Sequence, residues 1–238
     1  MILPMRSQRI KYVGVRSMDL WEAIKSRHSV RNYTDRKIEG DVKEQLIQMV
    51  NVCNRESGLH IQLCLNEPRA FSGMMAKYGK FKNVNNYIAL VGRKEKGLEE
   101  KCGYYGEKIV LKAQQLGLNT CWVALTYSKG KSTAVVEKGE KFLMVIAIGY
   151  GETSGAAHKG KPIEDLYRVK GVMPDWFRRG IEAAQLAPTA INQQKFLFEL
   201  NGNTVKATAL FGPNSRVDLG IVKYHFEIGT SGGNWHWE

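Results

Sequence analysis

The run Phe142-Leu143-Met144-Val145-Ile146-Ala147-Ile148 is apolar throughout and shows no alternation. A strand of this kind is buried on both faces, so its sheet needs cover on each side. Thr120 to Leu125 reads the same way, and Tyr87 to Gly92 is a further strand. The cover comes from segments with helical spacing. Leu98 to Leu116 predicts a long helix, with Gly117 suited to its C-terminal end. Met18 to Ser26 predicts a short one, with Leu20, Ala23 and Ile24 on one face and Asp19 with Glu22 as a capping box. Asp41 is expected to cap another helix, whose apolar stripe holds Leu46, Met49, Val50 and Cys53. Ile61 to Leu65 is a candidate strand, and 149–161, rich in Gly and small residues, a loop. Asp175 to Leu186 predicts a helix ended by Ala187-Pro188, and Asp218 to Ile228 a last one. Between them, Phe196 to Leu200 and Val205 to Leu210 flank Asn201-Gly202-Asn203, as a hairpin does. The tail from Gly232 to Trp237 takes no assignment.

A chain of 238 residues, 43% hydrophobic, suits one large domain or two fused halves and excludes wholesale disorder. No apolar run approaches the roughly 20 residues that span a bilayer, so no membrane association is expected. The first six residues, Met1 to Arg6, lack the pattern of an export signal. Cys53, Cys64, Cys102 and Cys121 form no Cys-x-x-Cys pair and lie in apolar or amphipathic stretches. Reduced, mostly buried thiols in a cytoplasmic protein are expected. The formal charge of +12 is spread along the chain without a basic block. That argues against a specific nucleic-acid site and for a solvated basic surface that would also welcome a phosphate-bearing cofactor. Leu46 to Asn66 can be laid on Gly180 to Asn201 as helix, polar loop, apolar strand and Asn. This weak repeat would mean two copies of one unit packed about a pseudo-twofold axis.

Three segments carry chemistry. Arg27-His28-Ser29-Val30-Arg31-Asn32-Tyr33 puts two guanidiniums and a serine hydroxyl at a helix end, a set that matches phosphate, or a basic helix end that satisfies its own carbonyls. Ala187-Pro188-Thr189-Ala190-Ile191-Asn192-Gln193-Gln194 can offer hydroxyl and amide groups to a polyhydroxylated ligand, or be an ordinary Pro-led loop. Gly117 to Ala124 reads as core, with Cys121 as packing rather than nucleophile.

Together these segments resemble the FMN-dependent nitroreductase family over roughly residues 18–230. The family's Arg-x-Ser-x-Arg/Lys-x-Tyr/Phe signature corresponds to Arg27–Tyr33, its Ala-Pro-Ser-x-x-Asn-x-Gln motif to Ala187–Gln194, its Gly-Leu-Gly-Thr-Cys-Trp strand to Gly117–Trp122, and its C-terminal basic element to Lys159-Gly160-Lys161. The order departs from the common pattern. Where the second motif usually stands, this chain has Cys53-Asn54-Arg55-Glu56-Ser57, and the motif comes in the second half. The resemblance is therefore to the single-chain, pseudo-dimeric TM nitroreductase-like branch. It implies an α+β nitroreductase-like fold: a mixed, mostly antiparallel sheet flanked by helices, in two pseudo-symmetric halves. The whole chain, 1–238, would be one domain, with residues 18–165 holding the phosphate side and 166–238 completing the pocket.

The resemblance also implies site roles. Arg27 and Ser29, with His28 between them, contact the FMN phosphate or ribityl. Arg31 lies near flavin N1 and O2 as an electronic tuner. Lys159 and Lys161 are distal phosphate cations. Pro188, Thr189 and Asn192 lie beside the ring and ribityl. Ala124 and Leu125 occupy the strand end whose backbone meets N5, without the usual Gly or Glu. The implied activity is an NAD(P)H oxidoreductase alternating between the nicotinamide and a small acceptor such as a nitroaromatic or quinone. No protein general acid and no metal are required, and the chain would be a monomeric pseudo-dimer. An FMN-binding sensor or store without turnover is the alternative.

Overall fold

The computed structural model describes residues 18–157 and 159–238. The export-signal reading of Met1 to Arg6 lies outside the described residues. The buried strand expected at 142–148 is the spine of the first sheet. It runs as β4, Glu140–Gly149, and pairs antiparallel on both sides, with β2 (Tyr87–Arg93) and with β3 (Asn119–Val123). A short strand, β1 (Gln62–Cys64), extends the sheet beyond β2, giving the order β1-β2-β4-β3. Val145, Ile146, Ala147 and Ile148 of β4 are all buried, as an unalternating run requires. Each fully buried Val or Ile contributes about 1.5–3 kcal/mol, so this strand anchors the fold.

Helix α1, Leu20–Ser26, begins with the expected capping box: the Asp19 carboxylate accepts from Glu22 N–H at 2.8 Å, and the Glu22 carboxylate accepts from Asp19 N–H at 3.2 Å. Helix α2, Gly40–Ser57, buries Leu46, Val50 and Cys53 on its inner stripe. Its start corrects one expectation. The N-cap is Glu39 and makes no side-chain cap, while Asp41 lies inside the first turn and accepts from the Gln45 side chain at 2.7 Å. There the carboxylate favours the helix dipole instead of capping it. A five-residue helix, α3 (Met74–Tyr78), follows a 3-10 turn at Arg69–Phe71; neither was expected. Helix α4, Leu98–Gln115, ends before Gly117, whose φ of +77° suits a glycine.

The second part of the chain builds a separate sheet. Strand β5 (Tyr167–Val169) precedes α5 (Asp175–Gln185), and the predicted hairpin forms as β6 (Phe196–Asn201) and β7 (Thr204–Ala209). After α6 (Ser215–Gly229) the tail returns as β8 (His236–Trp237). The order is β5-β6-β7-β8, with the outer pairs parallel and the hairpin antiparallel. The two sheets thus differ in strand pairing. The tail is held by its rings: Trp235 stacks on Trp176 at 6.2 Å, and Trp237 lies 5.5 Å from Phe226.

One core joins α2, α4, α5 and α6 to both sheets. Its centre is the crossing of α4 and α6, where the backbones touch. A Cβ on Gly220 would lie 1.9 Å from Glu100 O, and one on Gly103 would lie 2.0 Å from Val217 O. All four cysteines are free thiols; Cys53, Cys102 and Cys121 are buried and Cys64 half-buried.

Candidate functional site

Helix α1 stops at Arg27, whose backbone is extended (φ −73°, ψ 120°), and the chain runs on along the edge of β3. Val30 N–H donates to Thr120 O at 3.0 Å, and Tyr33, itself buried, donates its hydroxyl to Val30 O at 2.6 Å. This pairing turns the Arg27 side chain inward, leaving it only 3% exposed. Burial lowers the guanidinium's pKa, against the opposing fields of Glu107 and Cys121. Its Nε is buried with no hydrogen-bond partner among the described residues. Arg31 is exposed at the other end of the segment. The Cys121 thiol is pushed up by burial, which outweighs Arg31, Ser29 and Arg27 pulling it down. It stays protonated near neutrality, in keeping with the packing reading.

Behind Arg27 lies a buried pair that the sequence reading missed. Glu107 of α4 and His225 of α6 are both fully buried, 2.9 Å apart, and Glu107 also accepts from the Trp122 indole at 2.9 Å. The other imidazole nitrogen of His225 faces Ala183 O at 3.1 Å. Both ring nitrogens therefore face oxygens.

The second segment leaves α5 through Ala187 and the buried Pro188 into a 3-10 turn, Ala190–Asn192. Ile191, Asn192 and Gln194 adopt φ of +48°, +56° and +43°, a region non-glycine residues rarely occupy. Hydrogen bonds over-determine this loop. Thr189 Oγ1 accepts from Gln194 N–H at 3.1 Å. The Asn192 amide donates to Lys159 O at 3.0 Å and accepts from the buried Gln194 side chain at 3.0 Å. Lys161 donates its N–H to Gln194 Oε1 at 3.0 Å and its ammonium to Gln194 O at 3.1 Å. Asn192 and Lys161 thus spend polar groups on the loop itself, whereas Lys159 is exposed and makes no ion pair among the described residues.

At the base of the loop, the buried Asp218 of α6 accepts from Ala190 N–H at 3.0 Å and from the Gln193 amide at 2.7 Å. Burial pushes this carboxyl up from 3.8 to about 6, against the lowering effect of those two donors. Between pH 4 and 6 the folded chain therefore holds a proton at this site that the unfolded chain has released. Asp218 accordingly contributes more stability as pH falls through 6, by up to about 3 kcal/mol at pH 4. Urea unfolding of wild type and D218N is expected to show wild type gaining on the variant from pH 7 to pH 4. A difference that stays constant over that range would contradict the burial of this carboxyl.

The loop at 149–161 brings the two segments together. A Cβ on Gly155 would stand 2.8 Å from His28 Cβ and 3.2 Å from Ser29 O, while Lys159, four residues on, carries the carbonyl that Asn192 and Gln194 hold. Four residues span at most about 14 Å. Ile24 of α1 and Leu186 at the end of α5 share one apolar cluster. One loop thus stands against His28 and Ser29 at Gly155 and holds Asn192 and Gln194 at Lys159 and Lys161. Leu125 stands apart. Strand β3 ends at Val123, two residues earlier than expected, and Leu125 is 78% exposed. It lies five residues past Thr120, at most about 18 Å from the Arg27 segment's anchor. A hollow of about 460 Å³ between Arg69, Ser72, Lys131 and Ser132 involves none of these residues.

The family model described as "Putative TM nitroreductase" matches residues 19–230. The chain belongs to that nitroreductase family. Its fold is similar to that of a nitroreductase from Thermotoga maritima, at 24% identity over 93% of this chain and 87% of that one, with a TM-score of 0.64. A Parabacteroides distasonis protein described as an NADH dehydrogenase/NAD(P)H nitroreductase matches at 18% identity, with a TM-score of 0.50, over 63% of this chain and 96% of its own. A nitroreductase family protein from Streptococcus pneumoniae matches at 13% identity, with a TM-score of 0.50, over 62% of this chain and 98% of its own. No curated protein matches the chain in sequence. Membership supports an oxidoreductase role on a small-molecule substrate. Among the described residues no helix of this chain is long and apolar enough to cross a membrane.

Proposed function

We propose that this nitroreductase is an FMN-dependent NAD(P)H oxidoreductase that reduces a nitroaromatic, quinone or similar acceptor. The observation that carries the reading is Arg27. A buried guanidinium with an unpartnered Nε is costly unless an anion completes it. A flavin phosphate is such an anion, and the donor set around it fits: the Ser29 hydroxyl, His28, Arg31 and the Lys159 ammonium. Thr189 and Pro188 would meet the sugar alcohol and ring, with Asn192 and Lys161 holding their loop in shape. Leu125, at the far end of β3, would border the ring. When bound, FMN would supply the hydride chemistry, taken from NAD(P)H and given to the acceptor. Arg27 and Lys159 would bind and orient. Arg31 would favour negative charge on the reduced ring. Both segments come from one chain, so we read the protein as a pseudo-dimer that works as a monomer. The free thiols suit the cytoplasm.

The purified protein is expected to be yellow, to release one FMN per chain on denaturation, and to bleach anaerobically with NADH or NADPH. A colourless protein that takes up no FMN would refute the reading. A yellow protein that neither nicotinamide bleaches would be a flavin binder without this turnover.

A further inference from the structure

We propose that Asp218 is a positioning residue that sets the shape of the 188–194 loop and thereby the affinity of the site it serves. The inference rests on the flavin reading only for the identity of the ligand. The loop's own hydrogen bonds run through Thr189, Asn192 and Gln194 and leave Ala190 N–H and the Gln193 amide to an acceptor outside it. Ile191 is β-branched, sits at φ +48° and is 87% exposed, so packing does not hold it in that conformation. Flanking it, Ala190 N–H and the Gln193 amide both point to one carboxylate. Gln193 also donates to Pro213 O at 2.8 Å, which ties the loop to the turn leading into α6. Ala190 N–H reaches both carboxylate oxygens, Oδ1 at 3.0 Å and Oδ2 at 3.2 Å, and the Gln193 amide reaches Oδ2 at 2.7 Å, so each oxygen faces a donor. A carboxylate is acceptor-only and so meets these donors without turning an N–H of its own toward them. The lock is rigidly mounted. Asp218 lies two residues from Gly220, where α6 meets the backbone of α4.

The pattern also explains why a carboxylate stands on the buried stripe of α6 among Val217, Ile221 and Val222. A hydrophobic residue there would pack as well and leave Ala190 N–H without an acceptor.

The test is Asp218→Asn, which keeps the shape and puts an amide NH2 where one carboxylate oxygen faces a donor. Hydrogen exchange of full-length protein without flavin is expected to accelerate roughly tenfold or more at Ala190 to Gln194 and to stay unchanged in β4 and α4. FMN affinity, measured by titration, is expected to fall roughly tenfold, with the melting temperature of the flavin-free protein no lower than wild type. Unchanged exchange at Ala190 would overturn the proposal. So would faster exchange with unchanged FMN affinity, since the lock would then be structural only. If wild type takes no FMN, the flavin reading fails and the exchange data alone decide the lock. Should D218N fail to fold, Gln193→Met removes the outer donor together with its bond to Pro213 O and is expected to shift both readouts the same way.

Discussion

Gly220→Ala is expected to cost the protein on the order of 3 kcal/mol, enough to unfold a marginal domain. The added carbon would stand 1.9 Å from Glu100 O, 2.6 Å from Tyr104 N and 2.9 Å from Glu100 C. All three are backbone atoms of α4, so no rotamer change relieves the clash, and the helices must separate by more than 1 Å to restore ordinary contact. Separation opens the core on both sides of the crossing, including Val222 and Phe226. Replacing Gly by Ala in a helix returns only about 1 kcal/mol of propensity, which does not offset this. Gly103→Ala should behave alike, since its Cβ would meet Val217 O at 2.0 Å. Gly130→Ala is the control: nothing lies within 4 Å of its Cβ, and its effect should stay within about 0.5 kcal/mol. Urea midpoints of the three variants decide the matter. A Gly220→Ala protein as stable as the control would mean that the helices do not meet backbone to backbone. The 188–194 loop should loosen with the crossing, because α6 carries Asp218, which accepts from Ala190 and Gln193.

The crossing shows what kind of information a sequence holds openly. Strand β4 and helix α4 are legible because their signals are long and local: an apolar run without alternation, and a periodic stretch closed by Gly117. The motifs at 27–33 and 187–194 are legible through their likeness to a family. Long-range choices are not. Gly103 and Gly220 look like ordinary helix glycines until the two helices are laid together. Strand β8 is two residues long, and its place depends on the Thr204 and Val205 backbone and on rings from α5, α6 and β6. Asp218 is half visible. Helical spacing puts it on the apolar stripe of α6, an inconsistency that asks for a partner, but Ala190 lies 28 residues away. Glu107 and His225 pose the same question separately, each on its own helix, and answer it only in space. The strand's extension to Leu125 fails for a physical reason of its own. The apolar run continues to it, but the chain turns away after Val123, and an apolar side chain is left in solvent.

Arg27→Met is expected to weaken FMN binding by roughly 10- to 150-fold, the range of one charge-assisted hydrogen bond, with little loss of stability in the flavin-free protein. Methionine keeps most of the packed length of the side chain and removes the charge, the fork and the unpartnered Nε. The competing reading makes Arg27 a structural counter-charge for Glu107. In that case its removal should cost about 3–5 kcal/mol, as breaking a buried pair does. The geometry favours the first reading. Glu107 already has two partners, Trp122 and His225, each at 2.9 Å, and makes no ion pair with Arg27 within 4 Å. The Glu107–His225 pair is thus complete without the guanidinium, whereas the guanidinium is incomplete without an anion. Burial has already lowered its pKa, the mark of a cation held out of water with too little compensation. Arg27→Lys should lie between the two, keeping the charge without the fork that grips phosphate from two directions. Flavin titration and thermal unfolding without flavin, run on the same preparations, separate the readings. A variant that melts much lower yet binds FMN as tightly as wild type would make Arg27 part of the core and remove the phosphate side of the site.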